Sequence, residues 1–228
     1  MRAPSRPATA GLLVVLAAAS GYLDVICLTR LDGFFASVIT GNLVHFGHAI
    51  ATADGRSLGG AVAAVGGYAV GVAGATLPLR RIRPGWNRRT AVVTATEAVL
   101  LLGFAAGWMA CAGRPGYATG LVLLAVASVS SGIQSVITIG AGIRGASTTY
   151  LTGSLTDLVR RRVLDPHRFA DVGGTGRLVG LIAGAVLGTL GLRAAPTWAP
   201  ALAAVLVIAV IAVAVRLARR TTPAPGDD

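Results

Sequence analysis

The chain has 228 residues, of which 54% are hydrophobic and only 13% charged, and its mean hydropathy is +0.72. A soluble domain carries roughly 25% charged residues, so this composition excludes one and indicates an all-α integral membrane protein. The net charge of +11 would suit nucleic acid, but all twenty basic residues are arginines, gathered in short segments between apolar runs; that placement sets orientation in a bilayer and leaves anionic lipid, not nucleic acid, as the partner.

The N-terminal "MRAPSR", an apolar stretch and "AAASG" imitate a secretory signal with its cleavage site. The apolar run continues through Tyr22 to Leu28, which favours an uncleaved first span at 9–29. Further apolar stretches follow at 57–79, 91–112, 117–139, 174–192 and 197–217. At 1.5 Å per residue each can cross a hydrocarbon core of about 30 Å. Two other stretches are more polar. Residues 33–52 carry Thr40, Asn42, His45 and His48, and residues 146–159 carry Thr148, Thr149, Thr152, Ser154, Thr156 and Asp157.

The arginines decide whether those two stretches cross. Residues 80–89 hold Arg80, Arg81, Arg83, Arg88 and Arg89, and residues 160–168 hold Arg160, Arg161, Arg162 and Arg168. Both clusters belong on the cytoplasmic side, so an even number of crossings separates them. Spans 91–112 and 117–139 supply two, and a crossing by 146–159 would break the parity. The same argument, from Arg2 and Arg6 to the first cluster, keeps 33–52 from crossing. Six spans result, with short cytoplasmic tails at 1–8 and 218–228. Sixteen arginines then lie at the inner side, and Arg30, Arg56, Arg114 and Arg193 at the outer side.

The chain reads as a single membrane domain in two halves, about 9–112 and 117–217. "SGYLDVI" (20–26) aligns with "SGIQSVI" (131–137), and "TGNL" (40–43) with "TGSL" (152–155), while "VGVAGA" (70–75) resembles "VGLIAGA" (179–185). Three matches in order at one period indicate an internal repeat. Three crossings per copy is an odd number, so the expectation is two inverted three-span repeats, each with a re-entrant or broken Thr-Gly segment, an arrangement common in transporters.

At these motifs the chain resembles the YoaK family of bacterial inner-membrane proteins, a domain of unknown function. "GYLDVICL…GFFASVITGNLV" and "SGIQSVIT…GIRGASTTYLTGSLTDL" carry the resemblance, which runs over about 12–217. It implies about six spans and supplies no catalytic residues, so function rests on the residues themselves.

Thr40, Gly41, Asn42, Thr152, Gly153 and Ser154 are candidate binding residues. Glycine lets a ligand or backbone approach closely, and irregular backbone survives in a membrane where it is buried or lines a wet cavity. The plainer alternative is a pair of close helix contacts and a repeated turn. Asp24 and Glu97 are the carboxylates inside apolar spans; such groups cost about 2.5–3.5 kcal/mol on insertion scales and tend to face a cavity or a partner. Proton carriage is one role for them. Pairing is the other, of Asp24 with Arg30 or another helix's polar group, and of Glu97 with Arg88 or Arg89. Gln134 approximately mirrors Asp24 and could bond a substrate or another helix. Gly67 and Gly71, with Gly180, Gly184 and Gly188, mark close helix packing within the chain or between protomers, so a homo-oligomer is possible. Arg144 and Arg177 lie near the inner motif.

His45 and His48 lack a third ligand, so no metal is expected, and no cofactor or enzyme signature is present. Cys27 and Cys111 read as small apolar packers, with a disulfide as the lesser alternative. The leading expectation is a small-solute secondary transporter or channel-like protein with its site between the two Thr-Gly segments. The alternative is a membrane accessory or structural protein that binds lipid or a partner protein.

Overall fold

A computed structural model of the protein describes residues 6–80, 88–140, 148, 151–164 and 172–220. Arg144, Arg168 and the part of 146–159 ahead of Leu151, apart from Thr148, lie outside these residues. Eight helices make up the described chain: α1 (Arg6–Arg30), α2 (Ile39–Thr52), α3 (Gly55–Leu79), α4 (Arg88–Ala110), α5 (Tyr117–Gly140), α6 (Thr152–Leu164), α7 (Val172–Ala194) and α8 (Ala201–Arg220). Among the described residues there is no strand.

Five of them, α1, α3, α4, α5 and α7, are long and apolar enough to cross a membrane. Helix α8 spans twenty residues, about 30 Å, but its apolar part is the shorter Ala201–Arg216. The stretch 197–217 therefore does not begin as helix. Residues 196–200 form turns, opened by Pro196 and closed by Pro200, because proline cannot donate within a helix but suits its first turn. Helices α2 and α6 have 14 and 13 residues, about 20 Å each and too short to cross. The segment 160–168, read as a loop, starts as helix: Arg160, Arg161 and Arg162 are the later turns of α6, and Arg161 bonds Asp157 one turn earlier (Nε–Oδ2 2.9 Å).

The corners follow local chemistry. Helix α2 ends at Ala53 in the left-handed region (φ 52°), and Asp54 caps α3 by accepting from the Arg56 and Ser57 N–H groups. The same contacts, led by the Ser57 hydroxyl, hold the Asp54 carboxyl below its ordinary range. Just past α4, Ala112 (φ 52°) and Gly113 (φ 74°) take left-handed conformations, so the chain turns within a few residues toward α5.

Packing runs chiefly between the halves. Helix α1 lies along α7, and α3 along α5; α4 touches both α5 and α8, and α8 also touches α1. Exchanging α1–α4 for α5–α8 carries this pattern into itself. Glycines permit the two main contacts. A Cβ at Gly180, Gly184 or Gly188 would collide with Val14, Ala18 or the Val25 and Tyr22 region of α1, and one at Gly21 would meet the Leu181 carbonyl. On the other side, Gly67 and Gly71 press on Ala125 and Val129, and Gly132 on Tyr68. Gly21 and Gly132 are the matching glycines of "SGYLDVI" and "SGIQSVI". The chain's own helices thus occupy these glycine faces.

One end of the bundle is tied by hydrogen bonds between distant segments. The Tyr22 hydroxyl donates to the Ala199 carbonyl (2.7 Å), and Trp108 Nε1 donates to the Pro196 carbonyl (2.9 Å). The Tyr117 hydroxyl reaches the Arg56 carbonyl (3.0 Å), and the Arg56 guanidinium sits over the Tyr117 ring while bridging to Asp32.

Candidate functional site

The first helix of each half grips the loop that leads into the short helix. Asp24 is buried in α1; its carboxylate accepts the Ser37 N–H at Oδ1 (2.8 Å) and the Ser37 hydroxyl at Oδ2 (2.6 Å). Its partner is thus a backbone-plus-hydroxyl pair in the loop, and not Arg30. Gln134 does the same in α5: its Nε2 donates to the Thr148 hydroxyl and to the Leu16 carbonyl of α1, both at 2.9 Å. Thirteen residues separate Asp24 from Ser37, and fourteen separate Gln134 from Thr148. Ser37 did not stand out in the sequence and Thr148 did so only as one of several polar residues in its stretch, although both lie just ahead of a Thr-Gly motif.

The Thr-Gly motifs themselves are first turns of helices. Thr40 is exposed, and Gly41 faces the Phe35 ring at ordinary contact distance. Asn42 is buried with its amide engaged: Nδ2 donates to the Phe35 carbonyl (2.7 Å) and Oδ1 accepts the Phe35 N–H (3.1 Å). Thr152 and Gly153 are exposed and Ser154 is half-buried. Helix α2 packs on α3 and α6 on α7, and among the described residues α2 and α6 do not pack on each other. The structure thus brings Asp24 to the first motif's loop and Gln134 to the second's, but does not join the two motifs into one wall.

Replacing Asp24 with asparagine is expected to destabilise the protein by about 1–3 kcal/mol, because the amide nitrogen replaces one of two buried acceptors that Ser37 uses. Unfolding in mild detergent measures it. Ser37→Ala, which loses one bond and retains the backbone one, should cost less.

A second set of polar groups lies at mid-depth. Glu97, the sole glutamate of the chain, is fully buried on the face of α4 that also carries Thr94, Leu101, Phe104 and Trp108. Neither carboxylate oxygen has a hydrogen-bond partner among the described residues, so Arg89 does not pair with it; the Arg88 side chain lies outside what the structure describes. Ser20 of α1 and Ser128 of α5 are also buried with unpartnered hydroxyls. Each of the three sits within two residues of the middle of its helix. Unpaired buried polar groups are rare and costly, and here three helices each hold one near their middle.

The remaining candidates are dispersed. His45 is exposed beside the Phe34 ring (centroids 5.1 Å apart), His48 is exposed, and no metal-holding group of three ligands occurs among the described residues. Cys27 is buried, Cys111 is half-buried, and both are free thiols. Arg177 is buried in α7 and engaged in an interaction of its own.

Comparison with known proteins settles the family. A family model described as "Protein of unknown function (DUF1275)" matches residues 12–213. The chain belongs to the DUF1275 family. Among its relatives is the "UPF0700 transmembrane protein YoaK" of Bacillus subtilis (strain 168), 32% identical over 149 residues. That alignment covers 65% of this chain and 64% of the relative. No solved structure matches. Membership accords with the apolar helices: this DUF1275 protein is a multi-pass membrane protein.

Proposed function

We infer that this DUF1275 protein is a small-solute transporter or channel-like protein of the bacterial cytoplasmic membrane. It is built from two inverted repeats of three crossings, with both termini on the cytoplasmic side. The observation that carries the reading is Glu97, a wholly buried carboxylate at the middle of a span with no hydrogen-bond partner among the described residues. Carboxylates in that position are otherwise paired, or they face a path for ions or solutes. The exchange-symmetric packing, the matched grips of Asp24 on Ser37 and Gln134 on Thr148, and the unpartnered Ser20 and Ser128 within the apolar helices support a polar route past Glu97. That route replaces the gap between the Thr-Gly segments as the favoured site, because α2 and α6 sit on different helices. The Thr-Gly turns then hold the loops that frame it.

Purified protein in liposomes, screened for solute uptake under an imposed proton gradient, tests transport; absence of any gradient-driven flux across a broad solute panel counts against it. Orientation has its own check. With Cys111 replaced by alanine, a single cysteine at Thr52 should react with an impermeant thiol reagent in intact cells, and one at Asp165 only in inside-out vesicles. Labelling of both from one face would overturn the six-span topology.

The alternative, an accessory protein that binds lipid, draws on a groove of about 790 Å³ between α3, α4 and α5, lined by Val70, Gly74, Pro78, Val92 and Leu100 with Arg89 among its walls. Co-purifying lipid without any solute flux would favour it.

A further inference from the structure

Four arginines lie at the end of the bundle opposite the termini: Arg30, Arg56, Arg114 and Arg193. Arg56 is bonded to Asp32. The other three line one open basin of about 710 Å³, together with Thr29, Thr189 and Thr197. No acidic side chain lines it, and none of the three guanidiniums has a carboxylate partner among the described residues. The nearest candidate counter-charge, Asp32, is already taken by Arg56.

Helix dipoles account for part of this arrangement. Arg30 and Arg193 occupy the last turns of α1 and α7, and Arg114 follows α4. Each C-terminus contributes about half a negative charge, so three supply about −1.5 against +3. A net positive charge remains, and mutual repulsion opposes bringing three guanidiniums to one hollow. The walls are also fixed. Trp108 donates to the Pro196 carbonyl across two turns, the Tyr22 hydroxyl holds Ala199, and Gly113 lies so close to Pro196 that an added Cβ would come within 3.0 Å of its carbonyl. The Trp108 bond and the close Gly113–Pro196 approach therefore hold the α4–α5 turn, which presents Arg114, against the α7–α8 turn, which begins just past Arg193.

We propose that this basin binds an oxyanion, a phosphate-bearing group carried either by a free solute or by a lipid headgroup of the facing leaflet. Guanidinium forks match phosphate geometry in pairs of parallel bonds; the Thr29 and Thr189 hydroxyls already donate to the Val25 and Ala185 carbonyls, which leaves the arginines as the anion's donors. The site stands apart from the Glu97 route and holds whether or not the protein transports.

The test uses full-length protein in a non-ionic detergent and in phosphatidylcholine nanodiscs made with or without phosphatidylglycerol. Inorganic phosphate in detergent, or phosphatidylglycerol in nanodiscs, should raise the thermal unfolding midpoint of the wild type. Arg114→Gln and Arg193→Gln should each weaken the response by about fivefold or more, the loss of one charge-assisted bond pair, and Arg56→Gln should leave it unchanged. A response to phosphate identifies a free anion, and a response to phosphatidylglycerol alone identifies a headgroup. The proposal fails if neither probe stabilises the wild type. It fails equally if the two glutamine variants respond like the wild type, or if Arg56→Gln loses the response as they do.

Discussion

Gly184→Ala is expected to destabilise the protein by about 2–3 kcal/mol, although alanine is the better helix former. The added methyl would overlap the Ala18 carbonyl of α1, and both collision partners are backbone in long helices, so neither can rotate away. Relief requires α1 and α7 to move apart along their most extensive contact, and overpacking of this kind costs about 1–3 kcal/mol. Gly71→Ala should behave alike, because its methyl would strike the Val129 carbonyl of α5. The control is Gly66→Ala, at an exposed position in α3 with no atom within 4 Å of the added carbon. There the ordinary helix preference of alanine should stabilise by about 0.5–1 kcal/mol. Reversible unfolding in mixed micelles reads all three. Opposite signs for Gly184 and Gly66 are the expected result, and equal small effects would mean that the glycine faces do not bear the packing.

The same glycines show why much of the fold was legible. In a bilayer apolar side chains gain little by leaving lipid, so helices associate through small residues that admit close backbone approach. The GxxxG spacing of Gly67 and Gly71, and of Gly180, Gly184 and Gly188, therefore marks the contact faces directly in the sequence. Arginine parity is comparably direct, since it singled out 33–52 and 146–159, and the helices α2 and α6 in those stretches are the short ones, with 14 and 13 residues. The partners of these faces were not readable: a glycine stripe states that something comes close, not whether it is another helix of the chain or another protomer.

The site was less legible for a related reason. Asn42 and Asp24 read as unusual polar residues in apolar surroundings, and they are, but the sequence does not reveal that Phe35 and Ser37 use their hydrogen-bonding atoms. Those partners are ordinary loop residues with no distinctive pattern. The matching spacing from Asp24 to Ser37 and from Gln134 to Thr148 was the available signal, and it has meaning only once a repeat is aligned. Ser20 and Ser128 carried no signal at all, because serine is common in packed membrane helices. The distinction between a site residue and a loop clamp depends on which atoms face which, and that is a property of tertiary packing.

Glu97→Gln is expected to separate function from stability more sharply than any other substitution. Glutamine is nearly isosteric, so the packing around α4 is retained. It also cannot ionise, which removes the cost of an unpaired charge at mid-membrane, about 2.5–3.5 kcal/mol on insertion scales where the group is charged. Stability should therefore stay level or rise. If Glu97 carries a proton or meets a cation along the polar route, gradient-driven uptake in liposomes should fall by about tenfold or more, because a fixed amide cannot change charge state. Glu97→Asp, which keeps the carboxyl on a shorter arm, should retain part of the flux. A purely structural acid predicts a different pair of results, with unchanged flux in Glu97→Gln and altered unfolding in Glu97→Asp through the small cavity it leaves. Flux lost with stability intact supports the transport route, and flux intact with Glu97→Gln removes Glu97 from it.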